Sequence, residues 1–107
     1  MGGRSSRRKG HQFERDVAIW LRGVFPNARR QLEYHSRDAR GVDLQETGPY
    51  RIQCKKFRQY APIMCIREID CDRDLGEIPV LVTAGDGLEP MAVLPLDELL
   101  RLIQASQ

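Results

Sequence analysis

Three polar residues that could bind a metal ion and a phosphate lie on two short segments near the middle of the chain. Gly41–Leu44 and Arg51–Lys56 each alternate apolar with polar residues, which is typical of a half-buried β-strand. A Gly-Pro turn separates them. A hairpin that is symmetric about this turn places Asp43 opposite Gln53, and alternation then directs Gln53 and Lys55 to the same side as Asp43. A carboxylate, an amide oxygen and an ammonium group on one face suit a divalent cation and a phosphate.

A helix predicted from about His11 to about Val24 adds a second carboxylate. The apolar residues at the spacing of one helical face are Phe13, Val17, Trp20, Leu21 and Val24, and Pro26-Asn27 ends the helix. Glu14 lies about 100° around the helix axis from Phe13, within the apolar arc. A carboxylate there loses hydration, so it needs a hydrogen bond, a cationic partner or a metal. The alternative interpretation is a carboxylate at the edge of the apolar face that pairs with an arginine.

Charge is distributed unevenly along the chain. Residues 1–58 carry 14 lysines and arginines and 6 acidic residues, a net charge of +8, whereas residues 59–107 carry 3 and 9, a net charge of −6. This asymmetry predicts that the first half faces a polyanion, and the alternative is two solvated faces that neutralise each other. Residues 1–10 are predicted to form a flexible basic arm and residues 11–107 a single domain. The candidate nucleic-acid contacts are Arg4, Arg7, Arg8, Lys9, Arg30, Arg37, Arg40, Lys56 and Arg58.

The remaining segments complete the predicted fold, and residues 75–107 among them are interpreted as scaffold. They are a strand over 28–36 with Leu32 and Tyr34 inward, a helix from Pro62 to about Cys71, a buried strand over 79–84, a strand over 91–94, and a helix from Pro95 to about Gln104 with Leu96, Leu99, Leu100 and Ile103 inward. This order predicts an α/β fold in which a small mixed sheet is flanked by helices. The three cysteines form no CxxC pair, which favours reduced thiols in the cytoplasm and no zinc site. No apolar run approaches membrane-spanning length, and no signal peptide is predicted.

The order and spacing of these residues resemble the PD-(D/E)XK nuclease superfamily, with its restriction-endonuclease-like fold. The archaeal-type and phage Holliday junction resolvases are the most similar branch. The likeness lies in Lys9-Gly10-His11-Gln12-Phe13-Glu14, in Asp43, in Gln53-Cys54-Lys55 and in the Pro79-Val80-Leu81-Val82 strand. Val42 stands where the motif has proline, and Gln53 stands where it usually has an acid, which gives a QxK variant. The resemblance implies an αβββαβ core.

The resemblance also implies an activity, which is metal-dependent hydrolysis of phosphodiester bonds in branched DNA. Asp43, Gln53 and the backbone carbonyl of Cys54 would hold Mg²⁺, for which Mn²⁺ would substitute, and Glu14 would complete the ligands. Lys55 would orient the attacking water or stabilise the transition state. A homodimer is implied as well, located in the host cytoplasm if the protein is phage-encoded. The alternatives are a nucleic-acid-binding module without catalysis and an interaction domain with a charged surface.

Overall fold

The first helix is longer than the sequence predicts. A computed structural model describes residues 3–32 and 41–107, with side chains from Arg8 onward in the first helix. Helix α1 spans Gly3–Leu21, so it begins eight residues before the predicted start near His11 and includes most of the segment that was predicted as a basic arm. This segment contains no proline, and arginine and lysine are good helix formers, so Gly10 does not interrupt the helix.

Helix α1 packs on the sheet through part of its predicted inner face. Its most buried side chains are Phe13, Val17 and Ala18. Trp20 and Val24, which were predicted on the same face, are 55% and 73% exposed. Val24 is exposed because the helix already ends at Leu21, and Trp20 contacts Phe13 only in an edge arrangement, with ring centroids 6.3 Å apart.

Within residues 3–32 and 41–107, five strands form two small sheets that adjoin each other. The strands are β1 (Arg29–Arg30), β2 (Leu44–Gln45), β3 (Tyr50–Lys56), β4 (Ile78–Ala84) and β5 (Met91–Val93). Strands β1 and β2 are antiparallel, β3 and β4 are parallel, and β4 and β5 are antiparallel. The backbone N–H of Asp43 donates to the carbonyl of Ile52 at 2.8 Å and links the two sheets. The predicted α/β class with a small mixed sheet is confirmed.

The core lies between α1 and the β3–β4 pair, and a second apolar layer covers the other face of these strands. The core residues are Phe13, Val17, Ala18, Leu44, Ile52, Cys54, Ile78, Val80 and Ala84. On the opposite face, Gln53, Leu81 and Thr83 are buried, and the backbone N–H of Ala61 donates to the Thr83 hydroxyl at 2.8 Å. Both faces of β4 are therefore covered, which confirms the predicted buried strand over 79–84.

The connection from β3 to β4 contains 3₁₀ helices where an α-helix was predicted. One spans Ile63–Glu68 and the next spans Arg73–Leu75. The predicted apolar face of this segment is only partly buried. Ile63 is exposed, whereas Ile69, just after the first 3₁₀ helix, is buried. β-Branched isoleucines lower the α-helical propensity of this short segment, and its Pro62 start favours a tight turn.

Helix α2 (Leu96–Ala105) lies where the sequence predicts it, but its apolar face is turned to solvent. The residues predicted to face inward, and found exposed, are Leu96, Leu99, Leu100 and Ile103. The helix buries Glu98 instead, which is 4% exposed. The Arg101 guanidinium and the Tyr50 hydroxyl both donate to this carboxylate and lower the pKa of Glu98 to about 2. The bond from Tyr50 of β3 holds the polar side of α2 toward the sheet, so the predicted inward packing is wrong.

Some predictions lie outside the described residues. They concern the 33–36 part of the first predicted strand, including Tyr34, and the phosphate contacts Arg37 and Arg40; the side chains of Arg4 and Arg7 are likewise not described. In the described part of that strand, Leu32 is exposed rather than inward. Neither described helix combines the length and the apolar character that a membrane span requires.

Candidate active site

Asp43 lies at the junction of the two sheets, one residue before β2. Its N–H donates to Ile52 of β3 at 2.8 Å, whereas its C=O accepts from the N–H of Gln31, just beyond β1, at 2.7 Å. In a regular strand the N–H and C=O of one residue point to the same edge, so the backbone at Asp43 is irregular. The predicted pairing of Asp43 with Gln53 is therefore wrong by one residue, and strand alternation does not place the Asp43 side chain.

The Asp43 carboxylate lies along the edge of β3 among other charged groups. Its Oδ2 accepts a hydrogen bond from the backbone N–H of Cys54 at 2.8 Å. Burial raises the pKa of Asp43 to about 6, although the Cys54 hydrogen bond opposes this rise. The negative charge of Glu14 raises the pKa further, whereas the cations Lys55 and Arg30 lower it. Charged groups from α1, β1 and β3 thus all influence the ionisation of Asp43.

The raised pKa predicts that Asp43→Asn stabilises the protein at neutral pH. The unfolded chain loses this proton near its ordinary pKa of about 4, but the folded protein keeps it to about pH 6. The wild-type free energy of unfolding therefore falls as pH rises through that interval, because the folded state binds more protons. Asparagine keeps an oxygen for the Cys54 N–H without the charge. In EDTA, urea unfolding at about pH 8 should show the variant more stable by about 1–3 kcal/mol.

The pH dependence separates this effect from a general change in packing. The stability difference between Asp43→Asn and the wild type should disappear below about pH 4, where both states of the wild type hold the proton. Asp70→Asn changes an exposed aspartate and serves as the control, with no such pH-dependent difference. A stability difference of equal size at both pH values would show that burial does not govern the ionisation of Asp43.

Glu14 is largely buried and paired, as one of the two sequence interpretations predicts. Its Oε1 accepts from the Nε of Arg30 at 2.9 Å, and little of either side chain is exposed. Arg30, which was predicted to contact nucleic acid, is therefore directed into the site and not toward the outer surface. Through its effect on the pKa of Asp43, Glu14 also belongs to the same electrostatic environment.

Gln53 and Lys55 share a partner that the sequence does not indicate. The Nε2 of Gln53 donates to Oε2 of Glu68 at 2.9 Å, and Nζ of Lys55 lies 3.5 Å from the same oxygen. The common partner confirms that Gln53 and Lys55 project from one face of β3. Gln53 is only 2% exposed, and its buried Oε1 has no hydrogen-bond partner among residues 3–32 and 41–107. An unpaired buried acceptor costs about 1–3 kcal/mol, so this oxygen is suited to a further ligand.

Cys54 contributes its backbone and not its thiol. Burial, with the nearby charges of Asp43 and Glu14, raises the pKa of the Cys54 thiol well above its ordinary value, so the sulfur stays neutral. The Cys54 N–H points toward Asp43, and its C=O lies on the same strand edge. This is the carbonyl that was predicted to contact a metal.

The proposed ligands are oxygen groups, which suit a hard divalent cation. The available donors are the Asp43 carboxylate, the unpartnered Gln53 Oε1, the Cys54 carbonyl and the Glu14 carboxylate, and oxygen is the ligand type that Mg²⁺ prefers. The part of the chain that the structure describes contains no cluster of three or more His, Cys, Asp or Glu residues able to hold a metal. A cation here would therefore depend on the amide and carbonyl oxygens as well as on carboxylates.

The basic surface near the site includes aromatic residues that the sequence analysis missed. Arg8 and Lys9 are exposed on α1 and line, together with His11, Gln12 and Arg15, an open depression of about 400 Å³. Lys56 and Arg58, exposed at the end of β3, flank Phe57, which is 47% exposed. The Phe57 N–H donates to Ala84, and the Arg58 carbonyl accepts from Asp86, which anchors the backbone of this segment. The alternation of basic and aromatic residues in the sequence was the available signal.

Comparison with known proteins identifies no relative of this chain. A scan against protein-family models, a search of curated proteins and a search of solved structures each return no match to this chain.

Proposed function

We propose that this protein is a metal-dependent, structure-selective DNA endonuclease, similar to the Holliday junction resolvases, that hydrolyses phosphodiester bonds in branched DNA. One observation carries the proposal. The largely buried Asp43 carboxylate lies within electrostatic reach of Glu14 and Lys55, and the adjacent strand β3 carries a buried Gln53 amide oxygen that has no hydrogen-bond partner among the described residues. A buried carboxylate with a raised pKa, a buried amide oxygen that lacks a hydrogen bond and a nearby cation are together more typical of a reactive site than of a purely structural region.

Each residue has a defined part in the proposed reaction. Asp43, Gln53 and the Cys54 carbonyl would hold Mg²⁺ or Mn²⁺, with Glu14 completing the ligands. The bound cation would acidify a water and neutralise charge on the phosphate. A water oxygen bonds to phosphorus, the bond to the leaving sugar oxygen breaks, the water proton passes to solvent and the leaving oxygen takes one from solvent. Lys55 donates to the phosphate or to the attacking water as negative charge grows.

The proposed DNA surface consists of the exposed face of α1 and the segment Lys56–Tyr60. Arg8, Lys9, Lys56 and Arg58 are suited to phosphate contacts, which position a protein without reading base sequence. Phe57 offers a ring on which an unpaired base could stack, as in other proteins that bind single strands. This combination favours branched DNA over perfect duplex, because a protein can reach a base face where stacking is interrupted at a branch point and not within a continuous duplex.

Phe57→Ser is expected to weaken binding to branched DNA about tenfold while changing duplex affinity less than about twofold. Base stacking on one aromatic ring contributes about 1–3 kcal/mol, and this contribution is absent where every base is paired. Fluorescence anisotropy with a four-way junction and a matched duplex measures both affinities. Leu75→Ser, at another exposed apolar side chain, is the control. An equal loss of affinity for both DNAs would contradict the stacking role.

Cleavage assays on several DNAs test the proposal itself. Labelled four-way junction, flap, fork and duplex substrates are incubated with the purified protein in Mg²⁺ and in EDTA. We expect nicks in Mg²⁺ only, with branched DNA cut faster than duplex. Cleavage that persists in EDTA, or that is equally fast on every substrate, would contradict the proposal.

A nucleic-acid-binding module without catalysis is the second candidate. The neutral Gln53, at the position where the nuclease motif usually has an acid, favours it. A gel shift on the junction without nicks, at any Mg²⁺ or Mn²⁺ concentration, would support this function over the nuclease.

We further propose that the active form is a homodimer. A two-fold dimer suits a substrate with two equivalent scissile bonds. Ile19 is an exposed apolar residue of α1 and is one contact that such a dimer could use. Sedimentation of the wild type and Ile19→Glu tests this, with loss of the dimer expected in the variant.

A further inference from the structure

The two amide atoms of Gln53 have opposite environments. Nε2 donates to Glu68 Oε2 at 2.9 Å, whereas Oε1 is buried and has no hydrogen-bond partner in the part of the chain that the structure describes. A carboxylate only accepts hydrogen bonds, so Glu68 binds the NH₂ group and excludes the flipped amide. Glu68 therefore determines that Gln53 presents an oxygen, and not an NH₂ group, away from it.

The same carboxylate oxygen lies beside the Lys55 ammonium. Nζ of Lys55 is 3.5 Å from Glu68 Oε2, and the Glu68 side chain is 56% exposed. The contact holds the Lys55 head group next to Gln53, two residues away on one face of β3. The partly exposed Glu68 thus contacts and restrains both Gln53 and Lys55.

Backbone packing places Glu68 independently of these polar contacts. A Cβ atom at Gly41 would lie 2.1 Å from the carbonyl oxygen of Glu68 and 2.9 Å from Cα of Ile69. Gly41 also has a φ of +67°, a conformation that glycine adopts without strain. The 3₁₀ segment that carries Glu68 therefore packs directly on the residue two positions before Asp43.

We infer that Glu68 is a positioning residue of the candidate site. Glu68 fixes the orientation of the Gln53 amide so that the amide oxygen is available to a divalent cation. It also places beside Lys55 a negative charge that the neutral Gln53 does not provide. This inference rests on the proposed function.

An exchange of the two side chains tests the inference. The variants are Glu68→Ala, Gln53→Glu and the double variant Gln53→Glu/Glu68→Gln, and Glu89→Ala is the control at an exposed glutamate. Mn²⁺ affinity is measured by calorimetry, and melting temperature is measured in EDTA. Glu68→Ala should weaken Mn²⁺ binding about 10–100-fold without changing the circular dichroism spectrum, because loss of a group that orients a ligand typically has that effect.

The metal-free measurement checks the contact itself. Gln53→Glu alone places two carboxylates at hydrogen-bond distance, so its melting temperature should fall. The double variant should recover it, because an amide and a carboxylate again face each other with donor and acceptor reversed. The double variant should also bind Mn²⁺ at least as tightly as the wild type, since it carries an acid on the strand.

The outcomes separate this inference from the proposed function. If wild-type Mn²⁺ binding is lost in Asp43→Asn but is unchanged in Glu68→Ala, the positioning role is overturned and the proposed nuclease site stands. If the double variant melts no higher than Gln53→Glu, the contact does not position Gln53 and the inference is overturned. If the wild type binds no Mn²⁺, or binds it equally in Asp43→Asn, both the site and the inference are overturned.

Discussion

Asp43→Asn is expected to reduce Mg²⁺-dependent cleavage of a four-way junction by more than about 100-fold while leaving DNA affinity within about twofold. Even the loss of a hydrogen-bond partner of a metal ligand typically costs 10–100-fold, and Asp43 is itself a proposed ligand. The asparagine can still accept from the Cys54 N–H, so the edge of β3 should stay intact. Single-turnover cleavage and anisotropy, measured on the same junction, give the rate and the affinity.

Two controls show whether the loss of cleavage comes from the loss of the Asp43 carboxylate. Asp70→Asn, at an exposed aspartate, should cleave like the wild type. The higher stability expected of Asp43→Asn at neutral pH excludes unfolding as the cause of lost activity. Cleavage by Asp43→Asn at a rate near that of the wild type, in Mg²⁺ freed of contaminating nuclease, would refute the assigned site.

Lys55→Met is expected to lower the single-turnover cleavage rate about 10²–10³-fold. Removal of a group that stabilises developing charge has this effect in other enzymes, and methionine keeps the length of the apolar stem. The variant should bind Mn²⁺ no more weakly than the wild type, because the removed group is a cation. Rates at saturating enzyme, together with Mn²⁺ calorimetry, measure the two effects.

Lys56→Met is a matched control for Lys55→Met. Lys56 is the next residue of β3, and its side chain is exposed. Its loss should weaken binding to all DNAs alike and reduce the slope of log affinity against log salt by about one. The rate at saturating enzyme should not change. If Lys55→Met and Lys56→Met lose the same cleavage rate, the rate depends on overall positive charge and not on the position of Lys55.

Local patterns predicted the parts of the fold that depend on neighbouring residues. The helical period identified Phe13 and Val17 as buried, and the apolar run over 79–84 identified the buried strand β4. The orientation of α2 could not be predicted in this way. It depends on the bond between Tyr50 and Glu98, which are 48 positions apart, and the amphipathic pattern alone favours the opposite orientation.

Strand alternation also predicted part of the site. It placed Gln53 and Lys55 on one face, which their common contact with Glu68 confirms. It failed at Asp43, because the N–H and C=O of this residue bond to strands on opposite sides. Glu68 gave no signal, since a glutamate at the exposed end of a short segment is ordinary, and the packing of its backbone on Gly41 brings it to the site.

Anomalous X-ray scattering from crystals grown in Mn²⁺ is the most direct test of the proposed metal site. We expect an anomalous peak contacted by an Asp43 carboxylate oxygen and the Oε1 of Gln53, and no peak at this position in crystals of Asp43→Asn. Crystals with ordered Mn²⁺ elsewhere and none beside Asp43, or a Gln53 amide that turns its NH₂ group toward Asp43, would contradict it.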